Sequence, residues 1–167
     1  FDLLESDNLW LTETPDVCSR HPESACYRIL TYQFLERKTD GKRFLHVNTH
    51  LDHQGAESQR KGLDMIVSKI AQMNPEGLPM VLTGDFKVEP ENPVLDELDS
   101  RMLSARTSAL DANDKATFNG WGSRAIIIDY IYHSGFSHCP EYEVLDRSYD
   151  SVPYISDHYP VMSRLKF

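Results

Sequence analysis

Ser156-Asp157-His158-Tyr159-Pro160-Val161, close to the C-terminus, sets a carboxylate beside an imidazole in a short loop. Val161, Met162 and Leu165 continue it as a closing strand. Proline fixes its own φ and biases the preceding residue towards an extended backbone, so Pro160 stiffens the turn and presents Asp157 and His158 in a defined direction at a strand mouth. Aspartate offers a hard oxygen suited to Mg²⁺, and histidine exchanges a proton near neutral pH. Alone, the hexapeptide reads equally as a solvated turn ahead of a last strand. Partners elsewhere in the chain decide between the two.

Working outward, Ala125 to Tyr132 is a β-rich run, Ala-Ile-Ile-Ile-Asp-Tyr-Ile-Tyr, with Asp129 in its middle. A lone carboxylate among such side chains is costly to bury unless it is paired, and histidine is a natural partner; the alternative is a strand residue facing water. Met80 to Thr83 is a buried strand that runs into Gly84-Asp85-Phe86-Lys87, where Asp85 is either a site carboxylate or the start of an Asx-type turn. Residues 56 to 73 carry a helical period, with Leu63, Ile66, Val67 and Ile70 on one face, and Asn74-Pro75-Glu76-Gly77 stops it. Strand, helix, strand is the pattern of helices covering a sheet. Earlier, the strands Cys26 to Glu36 and Phe44 to Thr49 form a hairpin through Thr39-Asp40-Gly41-Lys42. Its return strand ends in a polar cluster, Asn48-Thr49-His50-Leu51-Asp52-His53, whose histidines are either site residues or satisfied turn and core histidines.

The remaining expectations are a short apolar strand in residues 8 to 16 stopped by Pro15, a loop over residues 17 to 26, a short helix from Pro93 to Leu98, an irregular polar surface loop from Ser104 to Trp121, and strands at Glu141 to Arg147 and Val161 to Phe167. No repeat, low-complexity tract or linker is visible, so residues 1–167 read as a single domain.

With 167 residues and 40% hydrophobic content the chain is long enough for a sizeable core. No run of apolar residues approaches a membrane span and no basic, then apolar, leader opens it, so it reads as soluble. The start, Phe1-Asp2-Leu3-Leu4, lacks an initiator Met and reads as the middle of a longer protein, which leaves the compartment open. A formal charge of -9 disfavours a broad footprint on duplex nucleic acid, although a small basic patch remains compatible with it. Cys18, Cys26 and Cys139 show no CxxC spacing; Cys18 and Cys26 either close a small loop in an exported protein or are ordinary thiols.

Four segments, Asn48-Thr49-His50-Leu51-Asp52-His53, Thr83-Gly84-Asp85-Phe86, Ile128-Asp129-Tyr130-Ile131 and the C-terminal hexapeptide, resemble in kind and order the motifs of the endonuclease/exonuclease/phosphatase superfamily. Trp10-Leu11-Thr12-Glu13-Thr14-Pro15 looks like a branch common among its bacterial members. The resemblance implies an α/β (α+β) fold, a four-layer sandwich of two mainly antiparallel β-sheets flanked by helices, and hydrolysis of phosphate esters with Mg²⁺ or Mn²⁺. It further implies that His158 is the general base or phosphate-contacting histidine oriented by Asp129, that Asp85 positions the attacking water, that Asp157 is a metal ligand and that His50 contacts the scissile phosphate. Arg28 is a candidate cationic contact to the substrate, or a strand arginine facing solvent.

Two departures stand out. Where the family pattern has asparagine after Gly-Asp-Phe, this chain has Lys87, which either pairs with Asp85 or Asp157 in part of the metal's place or lends its charge to the substrate phosphate. The family's opening strand and metal-binding glutamate have no counterpart, so the chain resembles the C-terminal two-thirds of a member, and Asp157 alone is expected to hold Mg²⁺ weakly. Two functional classes follow. One is a divalent-metal-dependent phosphoesterase acting on a phosphorylated small molecule, lipid headgroup, sugar phosphate or nucleic acid, with the acidic charge leaning towards a small substrate. The other is a weak or inactive relative that binds a phosphate ligand or a partner. Oligomeric state is not readable from the sequence.

Overall fold

A computed structural model describes all of residues 1–167. Its centre is a six-stranded sheet with the order β1 (Asp2–Trp10), β2 (Ile29–Glu36), β3 (Arg43–His50), β4 (Met80–Asp85), β7 (Asp129–Ser134) and β5 (Leu103–Ser104). A second, three-stranded sheet orders β6 (Asp111–Ala112), β8 (His138–Val144) and β9 (Val161–Lys166). The helices are α1 (Ala56–Met73), α2 (Asp96–Arg101), which follows a 3-10 turn at Pro93–Leu95, and the single turn α3 (Ala105–Ser108). Both sheets are mixed and most of their pairings are antiparallel, in keeping with the expected two-sheet α+β sandwich.

The pleat of the large sheet sorts side chains into two sets. Leu45 and Val47 of β3, Met80 and Leu82 of β4, and Tyr130 and Tyr132 of β7 are buried in one core with Leu63 and Ile66 of α1. Ile66 is fully buried there, and truncating such a side chain to Ala costs about 2–5 kcal/mol. On the opposite face, Ile131 of β7 packs with Val144 of β8 and Val161 and Leu165 of β9 in a smaller core. β3 and β4 run parallel, joined through α1, and Gly84 is required where they meet: a Cβ there would lie 2.2 Å from the carbonyl oxygen of Thr49. Phe86, fully buried just past β4, stacks on Tyr130 and Tyr132 at centroid distances of 5.1 and 6.1 Å and anchors the strand end beneath the polar mouth.

Several boundaries differ from the sequence reading. The first strand is Asp2–Trp10, with residues 11–16 in bends and turns, because antiparallel backbone pairing to β2 extends it back to Asp2 without any apolar alternation. The polar stretch Ser104 to Trp121 holds α3, β6 and buried Thr117 and Asn119; its polar side chains are tied to backbone groups within the fold. Asp129 opens β7 and does not interrupt it, since Ile126 bridges to Phe118 ahead of the strand. The strand expected at 141–147 is β8, Glu141 being its fourth residue, and the three cysteines are free thiols. Between β8 and β9 an exposed loop folds back on itself through Tyr149 and Val152, with Asp150 and Ser151 at φ 49° and 66°.

Candidate active site

Register brings three strand ends to one place. His50 pairs with Asp85 across β3 and β4, and Asp85 pairs with Asp129 across β4 and β7. The amide of Leu51 donates to the carbonyl of Asp85 at 2.9 Å and that of Phe86 to the carbonyl of Ile128 at 2.8 Å, which holds the three ends level. The fourth group arrives on the loop before β9: His158 shares its Nδ1 with Asp129 Oδ2 at 2.8 Å. Opposite a carboxylate, Nδ1 carries the proton, so the neutral ring presents Nε2 as an acceptor.

The remaining contacts converge on a single atom. Asp85 Oδ2 lies 3.6 Å from His158 Nε2, 3.6 Å from His50 Nε2 and 2.7 Å from Lys87 Nζ. His50 is oriented by its Nδ1, which donates to its neighbour's carbonyl, that of Leu51, at 2.7 Å. Burial lowers its pKa, against the opposing pulls of the Leu51 carbonyl and Asp85. Lys87 sits at a φ of 56° and its amide donates to Asp85 Oδ1 at 3.0 Å, so both carboxylate oxygens are engaged. A cavity of about 380 Å³ opens over His50, Asp85 and Asp129, walled by Asn48, Thr83 and Tyr159.

The loop at 117–120 couples the two halves of the site. Thr117 Oγ1 accepts from the amides of Ile128 and Asp129, both at 3.1 Å, fixing the approach to Asp129. Its carbonyl accepts from the amide of Tyr159 at 2.7 Å, while the amides of Asn119 and Gly120 donate to the carbonyl of Asp157 at 2.8 and 3.1 Å. The side chain of Asn119 donates in turn to the carbonyl of Ser156 at 3.1 Å. Thr117 and Asn119, which position Asp129 and His158, went unread in the sequence; the signal was a threonine and an asparagine flanking Phe118 a few residues before the Ile-Ile-Ile-Asp run.

Arg28 stands apart from the Asp85 cluster. Its Nε donates to Asp52 Oδ2 at 3.2 Å and its guanidinium lies 3.5 Å from His53 Nδ1. Asp52, 2% exposed, also accepts from the amides of Ala25, Cys26 and Gln54. Burial pushes its carboxyl up, but these four donors outweigh burial and hold it at about 2. Cys26, Asp52 and His53 come close enough to suggest a cation site, yet the Asp52 oxygens are already committed to N–H groups.

Among solved structures, the chain is similar to a mannosyl-6-phosphatase from Bacteroides thetaiotaomicron, at 30% identity and a TM-score of 0.93, covering 99% of this chain and 67% of that one. The chain belongs to the endonuclease/exonuclease/phosphatase family. Proteins of that family from B. thetaiotaomicron and Bacteroides vulgatus match at 29% identity, with TM-scores of 0.91 and 0.90, covering 98% and 99% of this chain and 65% and 66% of theirs. The chain therefore spans about two thirds of the length of these structures. No protein-family model matches it, and neither does any curated protein sequence.

For a member of this family the question is whether these residues suit a divalent ion. Asp85, Asp129 and His158 bring donor atoms within 4.8 Å of one another, but Asp85 is taken up by Lys87 and Asp129 by His158. Asp157 does not join that group; its carboxylate meets only the Ser156 hydroxyl, at 3.4 Å, and so keeps lone pairs for a cation. One free carboxylate, with water and substrate phosphate oxygens completing the shell, fits Mg²⁺, which is typically held by one or two.

Proposed function

We propose that the chain carries the His/Asp half of a phosphoesterase site that hydrolyses a phosphate ester by water attack. The observation that supports this most is the convergence of His158, His50 and Lys87 on Asp85 Oδ2, with His158 backed by Asp129. A water between His158 Nε2 and Asp85 Oδ2 has an acceptor for each of its protons, and Nε2 takes one as the oxygen attacks phosphorus. Asp129 stabilises the imidazolium that forms. Lys87 directs its ammonium N–H groups towards the phosphoryl oxygens, where negative charge builds up, and His50 adds an N–H from Nε2 once its ring is protonated. A divalent ion at Asp157, Mg²⁺ or Mn²⁺, would add positive charge on those oxygens.

The substrate reading favours a small phosphorylated molecule. The similarity to a mannosyl-6-phosphatase supports a sugar phosphate, and the charge of -9 weighs against an extended duplex. A second reading, a weak or inactive relative that binds phosphate ligands, draws on the Lys87 ammonium seated on Asp85 and on the single free carboxylate.

Calorimetric titration with Mg²⁺ and Mn²⁺, followed by bis-p-nitrophenyl phosphate turnover with and without the ion, separates the two. The catalytic reading expects metal-dependent turnover that falls by roughly 10²–10⁴-fold in His158→Ala, the usual worth of a positioned acid or base. Turnover unchanged by that substitution would remove His158 from the mechanism. Inorganic phosphate binding without turnover would favour the second reading.

A further inference from the structure

A second cleft, of about 430 Å³, is lined by Lys87, His53, Phe118, Glu89, Asn92 and Arg124 among others. It adjoins the catalytic cluster through shared side chains. The Lys87 ammonium, on Asp85, lies 5.7 Å above the Phe118 ring, and that ring meets the His158 ring edge-on at 4.8 Å.

Its polar lining holds side chains without partners. Nine of the chain's ten arginines bond to a carboxylate or, in Arg20, to backbone carbonyls; Arg124 alone makes no ion pair and no side-chain hydrogen bond. The Glu89 carboxylate has no partner either. Asn92 uses its Oδ1 to cap the turn at Val94, which leaves its amide N–H₂ free. The cleft thus gathers a free cationic fork, a free carboxylate and a free amide donor beside the Lys87 ammonium, which Asp85 already pairs. A second anionic group would be drawn by Arg124 and repelled by Glu89. A neutral group bearing several hydroxyls meets donors and an acceptor together, and its C–H faces have Ile126 and the Phe118 ring to lie against.

We infer that this cleft is the leaving-group subsite and that it takes a polyhydroxylated alcohol of sugar size, held by Glu89, Asn92 and Arg124. The inference rests on the phosphoester reading of the Asp85/His158 site and names the alcohol that site releases.

The test compares hexose 6-phosphate with n-hexyl phosphate, which has the same number of carbons and no hydroxyls on them, using the whole 167-residue chain. Calorimetry on wild type, Glu89→Ala and Arg124→Ala measures both affinities without requiring turnover. The expected result is at least a tenfold preference of wild type for the hexose phosphate, reduced by roughly 10-fold or more in each variant, in line with hydrogen bonds to charged groups. Equal affinities, or a preference for the alkyl phosphate, would overturn it, since the apolar wall would then be what binds. So would a hexose preference that survives both substitutions. The kcat/KM ratio for the same pair reports separately on catalysis. Turnover without hexose preference leaves the phosphoesterase reading standing and the subsite refuted; hexose preference in binding without turnover keeps the cleft as a sugar-binding site and refutes both the catalytic reading and the leaving-group role.

Discussion

Lys87 holds a left-handed backbone, φ 56°, where a lysine costs about 1 kcal/mol and asparagine is at home. The strain persists because the fold compensates it: the amide caps Asp85 Oδ1 and the ammonium sits on Oδ2 at 2.7 Å. The sequence displayed the substitution against the family pattern and left two carboxylates as partners; the structure selects Asp85, because the tight turn directs the side chain back over its own strand end. Lys87→Asn lifts the ammonium off Asp85 Oδ2, which frees that carboxylate for a cation, while relieving the backbone. Calorimetry should show Mg²⁺ binding about tenfold tighter, on the order of 1.4 kcal/mol, with metal-dependent turnover raised alongside it. Unaltered Mg²⁺ affinity would mean that the ammonium does not compete with the ion.

At the scale of elements, Asp52 ties the loop before β2 to the turn after β3, bringing three amides and Arg28 onto one buried carboxylate. Its folded pKa of about 2 lies below the ordinary carboxylate value, so the stabilisation is fully present above about pH 4 and is lost as pH falls towards 2. Asp52→Asn should cost about 1–3 kcal/mol at neutral pH, since it turns an N–H₂ towards existing donors, and should flatten the acid limb of stability. Urea midpoints measured from pH 7 to pH 3 check both, and parallel acid limbs in the two proteins would rule out this linkage. The strand ends carrying His50, Asp85 and Asp157/His158 were legible because each polar cluster follows or precedes an apolar run of strand length. β1 was only partly legible: Asp2 to Asn8 has no alternating pattern, and the segment becomes a strand by pairing with β2. Thr117 and Asn119 were hidden by composition, since a polar stretch reads as surface until its backbone partners are known. Phe118, whose own amide and carbonyl pair with Ile126, shows why these neighbours are turned inward.

For the molecule as a whole, the two sheets divide the chemistry between them. The large sheet supplies His50, Asp85 and Asp129 at adjacent strand ends, and His158 is carried by the chain entering the small sheet at β9. Strand pairing of β9 with β8 and the hydrogen bonds from residues 117–120 fix that segment in place. The loop around Asp150 and Ser151 contributes no side chain to the cluster. Continuity of the backbone there is thus incidental to the geometry of the site, and residues 151–167 act as a ligand that the rest of the protein happens to carry covalently. A limited proteolytic nick at that exposed tip should leave the two pieces associated, and residues 1–150 mixed with a 151–167 peptide should reconstitute the His158–Asp129 pair. Fluorescence titration of the peptide into the larger piece would report saturable binding, weakened by His158→Ala in the peptide; a peptide that fails to bind would show that chain connectivity itself holds the histidine in place.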